Sequence, residues 1–308
     1  MSGARVLVTG AGGFLGRHLC RRLRAAGAEI HAVSRGIAAR HGDAHRWWPA
    51  HLEEEPDARE LMRAVEPDVV FHLGGLTHAA PDVGLVLPTF RSLLASTVHM
   101  LTAVAEQGCR RLILVGSVEE PPITGQDLVP SSPYGAAKWG SGVYARMFYR
   151  LYATPVVIAR LALTYGPGQA ERKVIPATIL SLLRGTPPAV SSGARSWDLV
   201  YVDDAIDALL RIAERPGLEG ATVDVGSGEA VPLRSVIARL AQMIDPTIAP
   251  AFGALPDRPL GAEYVVDSAV TEARIGWKAT TPLDIGLQRT IDWYRDQSRR
   301  RGHQGAAV

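Results

Sequence analysis

The stretch Ser131-Ser132-Pro133-Tyr134-Gly135-Ala136-Ala137-Lys138 carries the most specific chemical signal in the chain. A free tyrosine ionises near pH ~10, too high for ready proton exchange at neutrality, and a neighbouring ammonium favours the phenolate. Residues four apart share one face of a helix, so Lys138 is placed to support Tyr134 electrostatically. Ser132 reads as the N-cap of that helix and Pro133 as its first position. Upstream, the apolar run RLILVGS ends in Ser117, a hydroxyl suited to bonding a substrate oxygen beside Tyr134.

These groups need a scaffold, and the apolar pattern supplies one. Short runs at 5–10, 29–35, 68–75, 111–117 and 155–166 read as strands. Helical patterns lie between and after them, including 16–26, 90–107, 174–184, 203–214, 233–244 and 283–294. The alternation predicts an α/β fold of the Rossmann type, a doubly wound parallel sheet, with a smaller, mixed α/β C-terminal substrate domain. The predicted division is 1–166 for the dinucleotide-binding domain, with about 198–228 returning to it, and 167–308 for the smaller one. The basic C-terminal stretch from Gln297 is expected to fray.

The first strand runs into TGAGGFLG, with Gly10, Gly13 and Gly16 before a helix beginning near Phe14. Gly10 and Gly13 let the backbone turn and approach a pyrophosphate at the helix N-terminus, and Gly16 permits close helix-to-strand packing. The second strand ends in Ser34-Arg35 rather than a carboxylate. A guanidinium there suits a ribose 2′-phosphate, which favours NADP(H) and leaves NAD possible. Phe14 and Leu15 continue this cofactor loop into the helix, and Lys138 is also placed to hold the nicotinamide ribose.

Taken together, TGAGGFLG, PDVVFHLGG, LILVGS, YGAAK, RLALTYGPG, YVDDAIDALL and IGWKATTPLDIGLQRTIDWY resemble the extended short-chain dehydrogenase/reductase family over nearly the whole chain. That family includes NAD(P)-dependent nucleotide-sugar epimerases, dehydratases, decarboxylases and ketoreductases. The resemblance implies that Ser117, Tyr134 and Lys138 are catalytic, Tyr134 moving a proton as hydride passes to or from nicotinamide C4. It also implies further cofactor contacts at Leu52, Leu73, Gly74 and Gly75.

Family dehydratases carry Asp-Glu after the serine; here Val118 takes the Asp position and Glu119 remains, so 4,6-dehydration lacks its acid. Glu119 is a candidate base or hydroxyl ligand. With Ser34-Arg35, the leading expectation is an NADPH-dependent 4-ketoreductase acting on a nucleotide-activated 4-keto-6-deoxy sugar. The alternatives are an epimerase or decarboxylase retaining NAD(P)+ and a non-catalytic NADP-binding regulator. Relatives bind the pyrophosphate with two arginines; Arg258 matches one position, whereas Trp197 replaces the other and Arg195 lies two residues earlier. His51 stands where relatives have an aspartate near adenine, which leaves that contact to Leu52 and backbone.

A net charge of +2 gives no reason to expect nucleic acid or a membrane surface as partner. Two cysteines without framework spacing, and no leader-like N-terminus, predict a cytoplasmic setting; nine histidines show no metal-ligand spacing. The resemblance further implies a homodimer through a four-helix bundle, with Met100, Tyr144, Met147 and Phe148 expected on the outer helix faces.

Overall fold

The computed structural model describes residues 1–36, 41–121, 129–257, 260 and 263–305. The first half runs β1 (Arg5–Thr9), α1 (Phe14–Ala25), β2 (Glu29–Val33), β3 (Arg46–Trp48), α2 (Glu55–Val65), β4 (Val69–His72), α3 (Val86–Thr89), α4 (Ser96–Gln107), β5 (Arg111–Ser117), α5 (Pro133–Tyr152) and β6 (Val156–Leu161). The second runs β7 (Leu163–Tyr165), α6 (Val174–Leu183), β8 (Ala189–Val190), β9 (Ser196–Tyr201), α7 (Val202–Glu214), β10 (Thr222–Val225), β11 (Ala230–Pro232), α8 (Leu233–Ile244), β12 (Ala251–Phe252), α9 (Ser268–Ile275) and α10 (Leu283–Gly305).

The apolar runs form one seven-stranded sheet in the order β3-β2-β1-β4-β5-β6-β10, with every neighbouring pair parallel. β4 and β5 are buried along their whole length, as both-face helix cover requires. The order reverses between β1 and β4, which opens a crevice at the carboxyl ends of these strands. This is the Rossmann-type architecture that the strand rhythm predicts. Two smaller sheets, β11-β9-β7 and β12-β8, build the remainder.

Three details differ from the sequence pattern. The run 155–166 is two strands, not one: β6 stays in the large sheet and β7 pairs with β9. Only Ala162 lies between them, its N–H donated to Val225 O at 2.8 Å. The helix expected at 90–107 begins earlier, at Val86, and contains a π-helical turn, Phe90–Ala95, between α3 and α4. Pro88, which has no N–H, and hydroxyls of Thr89, Ser92, Ser96 and Thr97 that bond carbonyls one turn back loosen the regular ladder there. The C-terminal stretch continues as α10 to Gly305, helped by an Arg301–Glu171 ion pair at 2.7 Å.

The outer helix faces also need correction. Met100 is fully buried and Phe148 nearly so, both packed in the layer between the helices and the sheet. Tyr144 is exposed as expected and Met147 half-buried; the other exposed apolar side chains here are Val83, Val86, Leu87, Phe90, Val143, Leu151 and Tyr152. Among the described residues one helical run, Val83–Gln107, is long and apolar enough to cross a membrane, but Leu93, Met100, Leu101 and Val104 are buried within the fold.

Candidate active site

The crevice holds a cavity of about 700 Å³ lined from both lobes. Its floor is the glycine loop. Gly10 adopts φ +67°, and a Cβ there would come within 2.9 Å of Gly74 Cα. A Cβ on Gly16 would come within 2.6 Å of Ala11 Cα, so the helix packs against the strand only because that atom is missing. The N-terminus of α1 has no side-chain cap and no acidic residue in its first turn, and it faces the cavity through Gly13, Phe14 and Leu15. Unsatisfied N–H groups and the positive end of the helix dipole thus meet where a phosphate group would rest.

Leu52, Leu73, Gly74 and Gly75 also line the cavity, as do Ser34 and Arg35 at its outer end. The guanidinium of Arg35 is not idle: it hydrogen-bonds Glu53 Oε1 at 3.3 Å. Ser34 Oγ donates to Gly36 O at 2.9 Å and closes the turn after β2. Glu53 went unnoticed in the sequence because it sits eighteen positions away, on the loop after β3, and only the fold brings it beside the β2 terminus.

The chemistry sits deeper. Ser132 caps α5 by accepting the Gly135 N–H at 3.1 Å, with Pro133 in the first turn, as its sequence position predicts. This fixes Tyr134 against Ser117, whose hydroxyl hydrogen-bonds the phenol. Lys138 lies one turn further along, 6% exposed, and donates to Val115 O at 2.6 Å. The expectation that Lys138 lowers the phenol is not what dominates here. Burial pushes Tyr134 up, the Ser117 hydrogen bond opposes this, and the charges of Glu119 and Glu120 reinforce it. Lys138 itself is lowered to about 8 by burial, against the opposing pull of Glu120. Glu119 lines the cavity, its N–H donated to Ser117 Oγ at 3.1 Å.

His72, at the end of β4, is a further cavity residue that the sequence motif did not single out. Its Nδ1 lies 2.9 Å from Thr9 Oγ1, which also accepts the Gly74 N–H at 3.1 Å. Its Nε2 is buried without a hydrogen-bond partner among the described residues. Burial, and secondarily the charge of Lys138, lowers the imidazole to about 3, so it is neutral near pH 7. An orphaned polar atom beside a backbone cradle emptied of Cβ atoms fits a dinucleotide with polar ribose and amide groups.

On the acceptor side the cavity is lined by Leu163, Gln169, Lys173 and Trp197. Trp197 does face the site, whereas Arg195 does not line it and places its guanidinium 5.9 Å from the Trp197 ring. Arg258 lies outside the described residues. Asp198, next to Trp197, is 1% exposed and ties the lobe together: it accepts from Ser227 N and Oγ, Gly228 N and Val266 N. Cys20 is buried and Cys109 half-buried, and desolvation pushes both thiols up to about 12, away from the thiolate. Among the described residues no three metal-ligating side chains gather.

A Rossmann sheet, a glycine loop under a helix N-terminus and a Ser-Tyr-Lys centre at the strand ends define a dinucleotide-dependent enzyme of the extended short-chain dehydrogenase/reductase type. The chain belongs to the NAD dependent epimerase/dehydratase family, whose model matches residues 6–226. It is 30% identical to a UDP-glucose 4-epimerase of Mycolicibacterium smegmatis, over 96% of this chain and 99% of that one. It is 28% identical to a probable dTDP-glucose 4,6-dehydratase of Sinorhizobium fredii, over 94% and 92%. Among solved structures it is similar to the UDP-glucose 4-epimerase of Thermotoga maritima with UDP-glucose, with a TM-score of 0.87, 22% identity and coverage of 95% and 99%. It is also similar to MoeE5 in complex with UDP-glucose and NAD, with a TM-score of 0.83, 27% identity and coverage of 95% and 99%.

Proposed function

We propose that the protein moves hydride to and from C4 of a nucleotide-activated sugar, inverting that carbon as an epimerase that retains its dinucleotide. The observation that carries the chemistry is the Ser117-Tyr134-Lys138 group, Ser117 and Lys138 buried and Tyr134 half-buried, in a cavity large enough for both a dinucleotide and a sugar nucleotide. A nicotinamide dinucleotide held by Gly10, Gly13, Gly16, Gly74 and Lys138 supplies the hydride acceptor. Tyr134 takes the proton of the sugar hydroxyl in its phenolate form, which the Ser117 hydrogen bond favours against burial, as hydride leaves C4, and returns that proton after the sugar has presented its other face. Val118, an apolar residue packed on the core, offers no acid for loss of a neighbouring hydroxyl, which speaks against 4,6-dehydration.

The second reading is 4-ketoreduction with NADPH, and Arg35 is the observation that favours it. The Arg35–Glu53 bond weighs the other way, because a 2′-phosphate must displace or share with a carboxylate. The named relatives point the same way, since MoeE5 is complexed with NAD.

Purified protein is incubated with UDP-glucose, and separately with a nucleotide 4-keto sugar plus NADPH. Epimer formation without net change in reduced nicotinamide supports the first reading. Stoichiometric NADPH consumption overturns it in favour of the second. We further propose a homodimer through Val83, Leu87, Phe90, Leu151 and Tyr152, which sedimentation checks.

A further inference from the structure

The turn after β5 buries a second carboxylate behind the reacting groups. Glu120 is 7% exposed and faces away from the cavity, of whose lining it is not part. Its N–H donates to Ser117 O at 3.0 Å and its Oε1 accepts the Ser117 N–H at 2.7 Å. One residue therefore grips the serine from both directions. The carboxylate occupies a slot cut by two glycines. A Cβ on Gly116 of β5 would stand 2.5 Å from Oε1, and one on Gly142 of α5 would stand 3.5 Å from Oε2. Ile158 of β6 closes the slot, 3.3 Å from that Gly116 position.

The charges around it are mostly positive. Lys138 and Arg146 of α5 and Arg160 of β6 all favour the carboxylate, against burial, which raises it. On the cavity side Tyr134 faces Glu119 as well as Glu120, and His72 of β4 faces Lys138 in its neutral form. Arg160 is already held by Asp224 through two hydrogen bonds, at 2.6 and 2.7 Å. Lys138 donates to a carbonyl, Val115 O, and a carbonyl neutralises no charge. A buried ammonium needs a counter-charge to persist, and a buried carboxylate costs several kcal/mol unless something pairs it.

We propose that Glu120 is a positioning residue for the Ser117-Tyr134-Lys138 centre, a buried counter-charge that holds the Ser117 peptide in place and keeps Lys138 an ammonium. The proposal rests on the functional reading above only in taking that centre as catalytic; the grip of Glu120 on the Ser117 peptide is a property of the fold. Glu120 touches neither cofactor nor substrate. Its effect on chemistry runs through the proton affinity of its two neighbours, since its charge favours the ammonium of Lys138 and disfavours the phenolate of Tyr134.

The chain has three lysines, Lys138, Lys173 and Lys278, so carbon-13-labelled lysine gives an NMR spectrum in which Lys138 is assigned with Lys138→Arg. Glu120→Gln keeps the shape and an oxygen for the Ser117 N–H while removing the charge. The expected result is a Lys138 titration midpoint at least about one unit below that of the wild type. In turnover assays the alkaline fall of kcat moves the same way, with KM little changed. An unmoved midpoint in a folded Glu120→Gln protein overturns the proposal. Absence of sugar turnover in the wild type would instead remove the functional reading and leave the NMR result to decide the coupling. If Glu120→Gln does not fold, Glu120→Ala is titrated in its place: a Lys138 midpoint lowered by about a unit supports the proposal, and an unmoved one overturns it.

Discussion

The two lobes are held together by different means. In the dinucleotide lobe, seven parallel strands exchange backbone hydrogen bonds, and the site is made largely of missing side chains at Gly10, Gly16 and Gly74. In the acceptor lobe the sheets are short, and single polar side chains fasten the loops. Asp198 ties 227–228 and 266 to β9, and Asp204 holds Thr280 and Thr281. His18 of α1 reaches across to Asp203 at 3.2 Å and to Pro167 O at 2.9 Å. A repeating backbone ladder tolerates change at any one side chain, whereas a knot centred on one carboxylate does not.

The contrast can be broken at four places. The largest effect is expected where the lobes meet. Tyr134→Phe should lower kcat by roughly a thousandfold while fluorescence titration shows dinucleotide binding unchanged. Asp198→Ala comes next, at about 3 kcal/mol of stability, because it strands several buried donors at once. Urea denaturation followed by a probe in 227–266 measures it, and a cost under about 1 kcal/mol would mean that the acceptor lobe does not depend on the knot.

Gly16→Ala should cost about 1–3 kcal/mol and weaken dinucleotide affinity by tenfold or more, because the added Cβ meets backbone that cannot turn aside. Calorimetric titration with NAD+ and NADP+ tests this, and unaltered affinity would contradict the cradle. Near neutral pH the smallest effect comes from His72, and it grows only on acidification. Its folded value is about 3 against 6.5 for the free side chain. As pH falls below 6.5, the unfolded chain takes up a proton that the folded chain refuses. His72 therefore destabilises the fold progressively as pH falls from 6.5 to about 3, with a slope of up to ~1.4 kcal/mol per pH unit. Comparing the wild type with His72→Gln across that range should isolate the slope.

The dinucleotide lobe was the more legible of the two for the same reason that it is robust. Apolar runs, a Gly10-Gly13-Gly16 spacing and the Ser132-Pro133 helix start are local patterns, and each announces the backbone geometry that it produces. Ser117, Tyr134 and Lys138 meet where those patterns place them. What the sequence concealed are pairings between distant positions with no periodicity. Arg35 finds Glu53, Asp198 finds Val266, and β9, which follows a stretch rich in Pro, Gly and Ser, and the three-residue β11 could not be told from loop. Glu120 was hidden differently: it reads as an ordinary charged residue in a Pro-rich turn, and only Gly116 and Gly142, each neutral to any pattern, make room for it. The split of β6 from β7 was invisible because only Ala162, itself apolar, separates the two segments.

The π-helical turn at Phe90–Ala95 has a consequence for how the length of this chain can vary. Its inner side receives the Leu76 N–H on Ser92 Oγ at 3.2 Å and sets Leu93 against Gly75, so it braces the loop under the cofactor cleft. Loss of a single residue from the turn would restore regular winding and rotate everything before it by about 100° relative to the sheet. Val83 and Leu87 would swing off the face that they share with Phe90, while the brace on Gly75 would be lost. Substitutions in this segment are therefore a smaller hazard than a deletion of one codon.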